Sequence, residues 1–267
     1  MNPELQKSTR ATASTRALTA RTSIATGRHH PVGTCEAGNH TGRYTRSVPR
    51  RGGPVSLPAH ALTVLDAATP PALRPVLQPL PVLTAAGERL LDAASDLFYG
   101  RGVRAVGVDL IADTAGTTKK TLYDRFGSKD ALVALYLLRR AHRWRAHVLA
   151  ELESLEVSAD PSLARQQRVG RLFEVLETWM GGQRRGCAFV NTFAEVGDGD
   201  HPAVPVIRAE KAWMRALLDA LAGDPDLGGH LHLLYEGTLV VMTAGGDPGA
   251  AARARSAALD LVATRAA

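Results

Sequence analysis

The sequence predicts an all-helical fold: an N-terminal three-helix domain with a helix-turn-helix, joined by one long helix to a helical body. Two observations carry this. From Thr84 to near the C-terminus apolar residues recur at three- and four-residue spacing, the period of an amphipathic helix. Within that run, Gly107 to Phe126 breaks into two short helical stretches around Gly116.

Residues 1–83 lack this periodicity and are rich in Ala, Ser, Thr, Arg, Gly and Pro, so a mostly disordered basic extension is expected. It would serve as a linker or as an arm adding phosphate contacts. A start downstream of Met1 would need a non-ATG codon, because the next methionine is Met180. The Arg-rich, acid-poor composition also fits an organellar transit peptide.

Thr84 to Gly100 reads as the first helix, with Leu90, Leu91, Ala94, Leu97 and Phe98 turned inward and Gly102 past its end. Val108, Leu110, Ile111 and Ala115 mark the second, and Gly116 can take the left-handed conformation that turns the chain. Thr118 then caps a third, Lys119 to Phe126, with Leu122 and Phe126 inward. Lys119, Lys120, Thr121, Tyr123 and Asp124 are left facing outward. Lysines suit phosphate or guanine, and hydroxyls suit phosphate oxygens. Ser128 caps the next helix with Lys129 at its positive end, a place to hold phosphate.

These residues carry a resemblance. Leu97-Phe98 and Arg101-Gly102, then Asp109-Leu110-Ile111-Ala112, Ala115-Gly116, Thr121-Leu122-Tyr123, Phe126 and Ser128-Lys129 make the run from Thr84 to about Trp144 similar to the DNA-binding domain of TetR-family (TetR/AcrR-like) transcriptional regulators. The domains expected are 1–83, the extension; 84–144, the DNA-binding head with its helix-turn-helix at 107–126; and 145–267, a body for effector binding and dimerisation. The resemblance implies a bacterial, cytoplasmic, nucleoid-associated protein and not an enzyme. It implies a homodimeric repressor released from a palindromic operator in double-stranded DNA by a small apolar or amphipathic effector. An activator, or a DNA-bound scaffold without small-molecule control, would share the same head. Candidate DNA contacts are Gly107, Thr117, Thr118, Lys119, Lys120, Thr121, Tyr123, Asp124 and Lys129. The chain departs from the family at Val106-Gly107, where Thr followed by Ser or Thr is usual, so no hydroxyl is offered to phosphate there. Asp109 and Asp124 face the same side, and can accept from a cytosine amino group or repel phosphate.

Downstream, Asp130 to about Leu155 is a long helix striped by Leu132, Tyr136, Ala141, Trp144, Val148 and Leu152. Pro161 to Met180 follows, then Cys187 to Val196, a helix from Pro202 to Gly223, Leu227 to Gly245, and a last one from Pro248 to about Thr264. Trp144, Phe173, Trp179, Phe189, Phe193, Trp213 and Tyr235 are candidates for lining an effector cavity. Leu227 to Gly245 is apolar around much of its girth and needs cover on more than one side. Leu231, Leu234, Thr238 and Val241, with Leu259 and Val262 of the last helix, are the candidate dimer contacts.

Charge agrees with this layout. Of a net +6, residues 1–83 contribute +7, residues 84–145 contribute +4 and residues 146–267 contribute −5, so one end alone suits nucleic acid. Cys35 and Cys187 are too few for a disulfide framework or zinc site. Asp198, Asp200, His201, His230 and His232 match no metal-ligand spacing, and no cofactor is implied. There is no GxSxG elbow, Walker loop or dinucleotide fingerprint. Leu231 to Ala244, the most apolar segment, is interrupted by His232, Glu236 and Gly237, which argues against a membrane span.

Overall fold

A computed structural model describes residues 79–183 and 185–266. The expectations for the extension, Cys35 included, lie outside the described residues. Among the described residues every regular element is a helix, beginning with α1 (Ala85–Arg101), α2 (Val108–Thr114), α3 (Lys119–Phe126) and α4 (Lys129–Glu153). The body follows as α5 (Pro161–Gly181), α6 (Ala188–Val196), α7 (Ala203–Ala222), α8 (Pro225–Thr243) and α9 (Ala250–Ala266).

The helix starts follow side-chain caps. Thr84, Thr118 and Ser128 accept from the amides of Gly87, Thr121 and Ala131, which satisfies donors the first turn would leave orphaned. Gly116, at φ +60, makes the turn between α2 and α3. The body reuses the device: Asp160 caps α5 and Asp224 caps α8, each followed by a proline at the first helical position. That cap explains why α8 begins at Pro225, two residues before the expected Leu227.

Two apolar cores result. Leu90, Phe98, Ile111, Leu122, Leu132 and Tyr136 knit α1 to α4, and Phe189 of α6 with Ile207 of α7 packs into the same cluster. The second core gathers Val148, Phe173, Leu176, Trp213, Leu217, Leu231 and Val262. The long α4 serves both: Leu132 and Leu137 sit in the first, Trp144 and Val148 in the second. In the body, α9 packs on α5 and α8, while α7 packs on α8 and α4.

Here the expected phase of the apolar faces needs correction. Leu231 and Val262 are fully buried inside the subunit and Thr238 nearly so, its hydroxyl donating to the carbonyl of Leu234. These three are therefore core residues, not surface contacts; Leu234 and Leu259 are half-buried, and Val241 is exposed. The apolar side chains left outward are Leu233 (72 % exposed), Val240 (55 %) and Val241 (43 %) on α8, with Leu261 (37 %) on α9. The reason is geometric: α8 is apolar nearly all round, and the stripe that meets α7 and α9 is the one removed from water. No described helix is long and apolar enough to cross a membrane.

Candidate nucleic-acid interface and body pocket

The outward face of α3 holds the residues expected there, but its charges are paired. Lys119 Nζ lies 3.2 Å from Asp109 Oδ2, across the turn from α2, and Lys120 Nζ lies 2.5 Å from Asp124 Oδ2 one turn along α3. All four side chains are more than half exposed, so these contacts are weak and exchangeable with phosphate. Thr118 and Thr121 share a hydroxyl contact of 2.9 Å, Thr117 bonds the carbonyl of Thr118, and the ring of Tyr123 stands out in solvent. Gly107 caps α2 in an extended conformation with no side-chain bond and open space around its α-carbon. Lys129 departs from its expected part: it is half-buried, and its ammonium donates to the carbonyl of Val103 at 2.6 Å instead of projecting outward.

In the body, residues of α4 to α8 line a small, half-open pocket of about 40 Å³. Trp144, Trp179, Phe189 and Tyr235 line it as expected; Phe173 and Trp213 are instead sealed in the core, and Phe193 is exposed on α6. Trp144 and Trp179 stand 5.2 Å apart, tilted, and the Trp144 indole N–H points at Met214 Sδ, 3.2 Å away. Burial holds the Tyr235 hydroxyl protonated well above its ordinary range.

The pocket also has a polar wall that was not anticipated. Arg145 Nε donates to Glu210 Oε2 at 2.7 Å, with both side chains buried. Burial raises the Glu210 pKa and lowers that of Arg145, each partly offset by the other's charge. Lys211 Nζ contacts both oxygens of Glu236, at 2.8 and 2.7 Å, and Cys187 Sγ at 3.4 Å. Burial alone would lower Lys211, but the Cys187 thiol and the Glu236 carboxylate outweigh it and its pKa is raised. A signal was present in the sequence. Arg145 falls on the stripe of Ala141 and Val148, and Glu210 on that of Val206 and Trp213, and a charge on an apolar stripe asks for a buried partner.

Pocket and head meet through the segment around α6. Gly186, Cys187, Ala188 and Phe189 line the pocket. The Tyr99 hydroxyl, at the end of α1, donates to the Gly186 carbonyl at 3.1 Å and accepts from the Arg185 amide at 3.2 Å. At the other end of α6, Glu195 Oε2 accepts from the Arg104 amide at 2.6 Å. His201 Nε2 lies 3.4 Å from Asp130 Oδ1 at the start of α4.

Comparison with known proteins agrees with this geometry. Residues 90–135 match the family model described as bacterial regulatory proteins, tetR family. The chain is 30 % identical to a putative TetR transcriptional regulator of Streptomyces avermitilis, covering 66 % of this chain and 98 % of that one, with a TM-score of 0.53. A TetR-family regulator from Streptomyces coelicolor is similar at 28 % identity over 67 % of this chain and 93 % of that one, TM-score 0.58. Among curated proteins, the transcriptional activator FasR of Mycolicibacterium smegmatis is 31 % identical over 142 residues, 53 % of this chain and 61 % of its own length.

Proposed function

The chain belongs to the TetR family of bacterial transcriptional regulators and is a DNA-binding regulator; from that premise we propose that it acts as a homodimeric repressor which a small effector releases from a palindromic operator. The observation that carries the release step is the shared segment. Residues 186–189 line the body pocket, and the same stretch is hydrogen-bonded to Tyr99 at the end of the head's first helix. An occupant that displaces α6 therefore acts on the head directly, and the population shifts toward a head spacing that no longer fits two major grooves.

On the DNA side, Thr117, Thr118, Lys119, Lys120, Thr121 and Tyr123 make the contacts. Asp109 and Asp124 hold the lysines until phosphate replaces them. Dimerisation uses the outward apolar side chains Leu233, Val240 and Val241 of α8 and Leu261 of α9, of the kind that association covers. A second reading, activation, is favoured by the likeness to the FasR activator.

Selecting and sequencing the DNA fragments that the protein retains gives the operator, and its symmetry tests the dimer. On that DNA, Lys120→Ala and Tyr123→Ala each weaken binding, the former flattening the salt dependence by about one unit of slope per subunit, about two for the dimer. Asp124→Asn tightens it, because Lys120 then has no rival for phosphate. If both alanine variants bind as tightly as the parent, α3 is not the reading helix.

A further inference from the structure

Between the head and the body runs a cleft of about 340 Å³, far larger than the body pocket. Ser95, Asp96 and Tyr99 of α1 form one side; α4 and the Gly182-Gln183 stretch after α5 form the other. Tyr136, Arg140 and Arg143 line it from one face of α4, spaced four and then three residues apart. Tyr136 is 3 % exposed, yet its hydroxyl has no hydrogen-bond partner among the described residues. Burial raises its pKa well above the ordinary range against the opposing charge of Arg140, so the hydroxyl stays protonated and can donate. The Arg140 guanidinium lies over the Tyr99 ring at 4.7 Å and the Trp179 ring at 5.8 Å and donates to Gln183 Oε1 at 3.0 Å, but pairs with no carboxylate among the described residues. Arg143 is exposed, with neither an ion-pair nor a hydrogen-bond partner among the described residues. A buried hydroxyl without an acceptor and two guanidiniums without an anion, on one face of one helix, mark where an acidic group belongs. We propose, resting on the effector reading above, that this cleft is the effector site and that its ligand is a small aromatic monocarboxylate held by Tyr136, Arg140 and Arg143.

Charge and size narrow the ligand. Arg139, the third arginine of the cleft, is spent: it pairs with Glu88 and Asp92 and bonds Ser95 and the Leu91 carbonyl. Asp96 lines the cleft with no partner among the described residues. Two unpaired cations against one unpaired carboxylate leave room for one negative charge, which favours a carboxylate over a phosphate dianion. The Tyr99 and Trp179 rings supply an apolar wall for a flat body, and the volume lies at the small end of ligand sites. Arg140 and Trp179 also line the body pocket, and Tyr99 is the head residue bonded to Gly186. An occupant of the cleft therefore bears on the same segment that joins pocket and head.

The test uses the full-length protein with naphthoate and, as its uncharged isostere, naphthamide. Calorimetric titration should give naphthoate an affinity about 10-fold or more above naphthamide, the worth of one hydrogen bond to a charged group. Arg143→Gln should remove most of that advantage and leave naphthamide binding unchanged, and Arg143→Lys should restore part of it. The fold is not at stake, because the side chain exchanged is exposed and unpartnered. No binding of naphthoate, equal affinity for the two probes, or an advantage that survives Arg143→Gln overturns the site and leaves the effector reading standing. A naphthoate preference that depends on Arg143 but leaves operator affinity unchanged upholds the binding site and overturns its part as effector site.

Discussion

Asp109 and Asp124 stand out in the sequence as acids on the face meant for DNA, with their role open between reading cytosine and repelling phosphate. The structure gives both the part of lysine partner. The Lys120–Asp124 contact was legible, since residues four apart share a helix face; Asp109 and Lys119 meet only because the turn at Gly116 folds α2 against α3. Glu236 illustrates a side chain whose work is half visible in sequence: His232 stands four residues before it on the same helix, whereas Lys211 reaches it from α7. Burial would raise its pKa, but His232 and Lys211 outweigh burial and hold it below the ordinary value of 4.5. Its depressed folded-state pKa means that its contribution to stability is full above about pH 4.5 and is lost as pH falls through the folded value. Glu236→Gln should therefore cost about 1–3 kcal/mol at pH 7. In thermal melts between about pH 3 and pH 7, the gap from the parent should close toward the acid end.

At the scale of elements, the caps were legible and the packing phase was not. Thr118 and Ser128 could be named from sequence because an N-cap needs only a local hydroxyl and three following amides. The buried side of α8 could not, because Leu231, Leu233, Leu234, Leu239, Val240 and Val241 offer an apolar residue in every direction. The choice is made by α7, which crosses so closely at Gly228 that an added Cβ would lie 2.6 Å from Asp219 Cα and 2.8 Å from its amide nitrogen. Backbone cannot yield as a side chain can. Gly228→Ala should thus lose about 1–3 kcal/mol to overpacking, more than the roughly 1 kcal/mol that alanine gains in helix propensity. Gly229→Ala is the contrast: its Cβ would meet only the flexible Arg215 guanidinium, at 3.1 Å, so urea unfolding should find it neutral or stabilising. The same limit governed the pocket, where Trp144, Trp179, Phe189 and Tyr235 share a wall but Phe173 and Trp213, equally aromatic, fill the core behind it.

For the whole molecule, the proposed dimer places the outward apolar side chains of α8 and α9 against the partner. Introducing Leu233→Asp together with Val240→Asp places two charges where the partner's apolar face would lie. Sedimentation should then show a folded monomer, and operator affinity should fall by at least about 10-fold, as two linked heads become one. A dimer that survives both changes would move the interface elsewhere. The two anchors of α6 have a consequence for engineering. Head and body look separable at the long α4, yet Tyr99 and Arg104 in the head are bonded to Gly186 and Glu195 in the body, and a Cβ at Gly102 would strike the Glu195 carboxylate at 2.6 Å. A chimera cut within α4, meant to give this body a new DNA-binding head, would inherit a pocket cut off from that head. To transmit a signal, the graft has to carry its own matching tyrosine, a bare backbone at position 102 and an amide presented to Glu195.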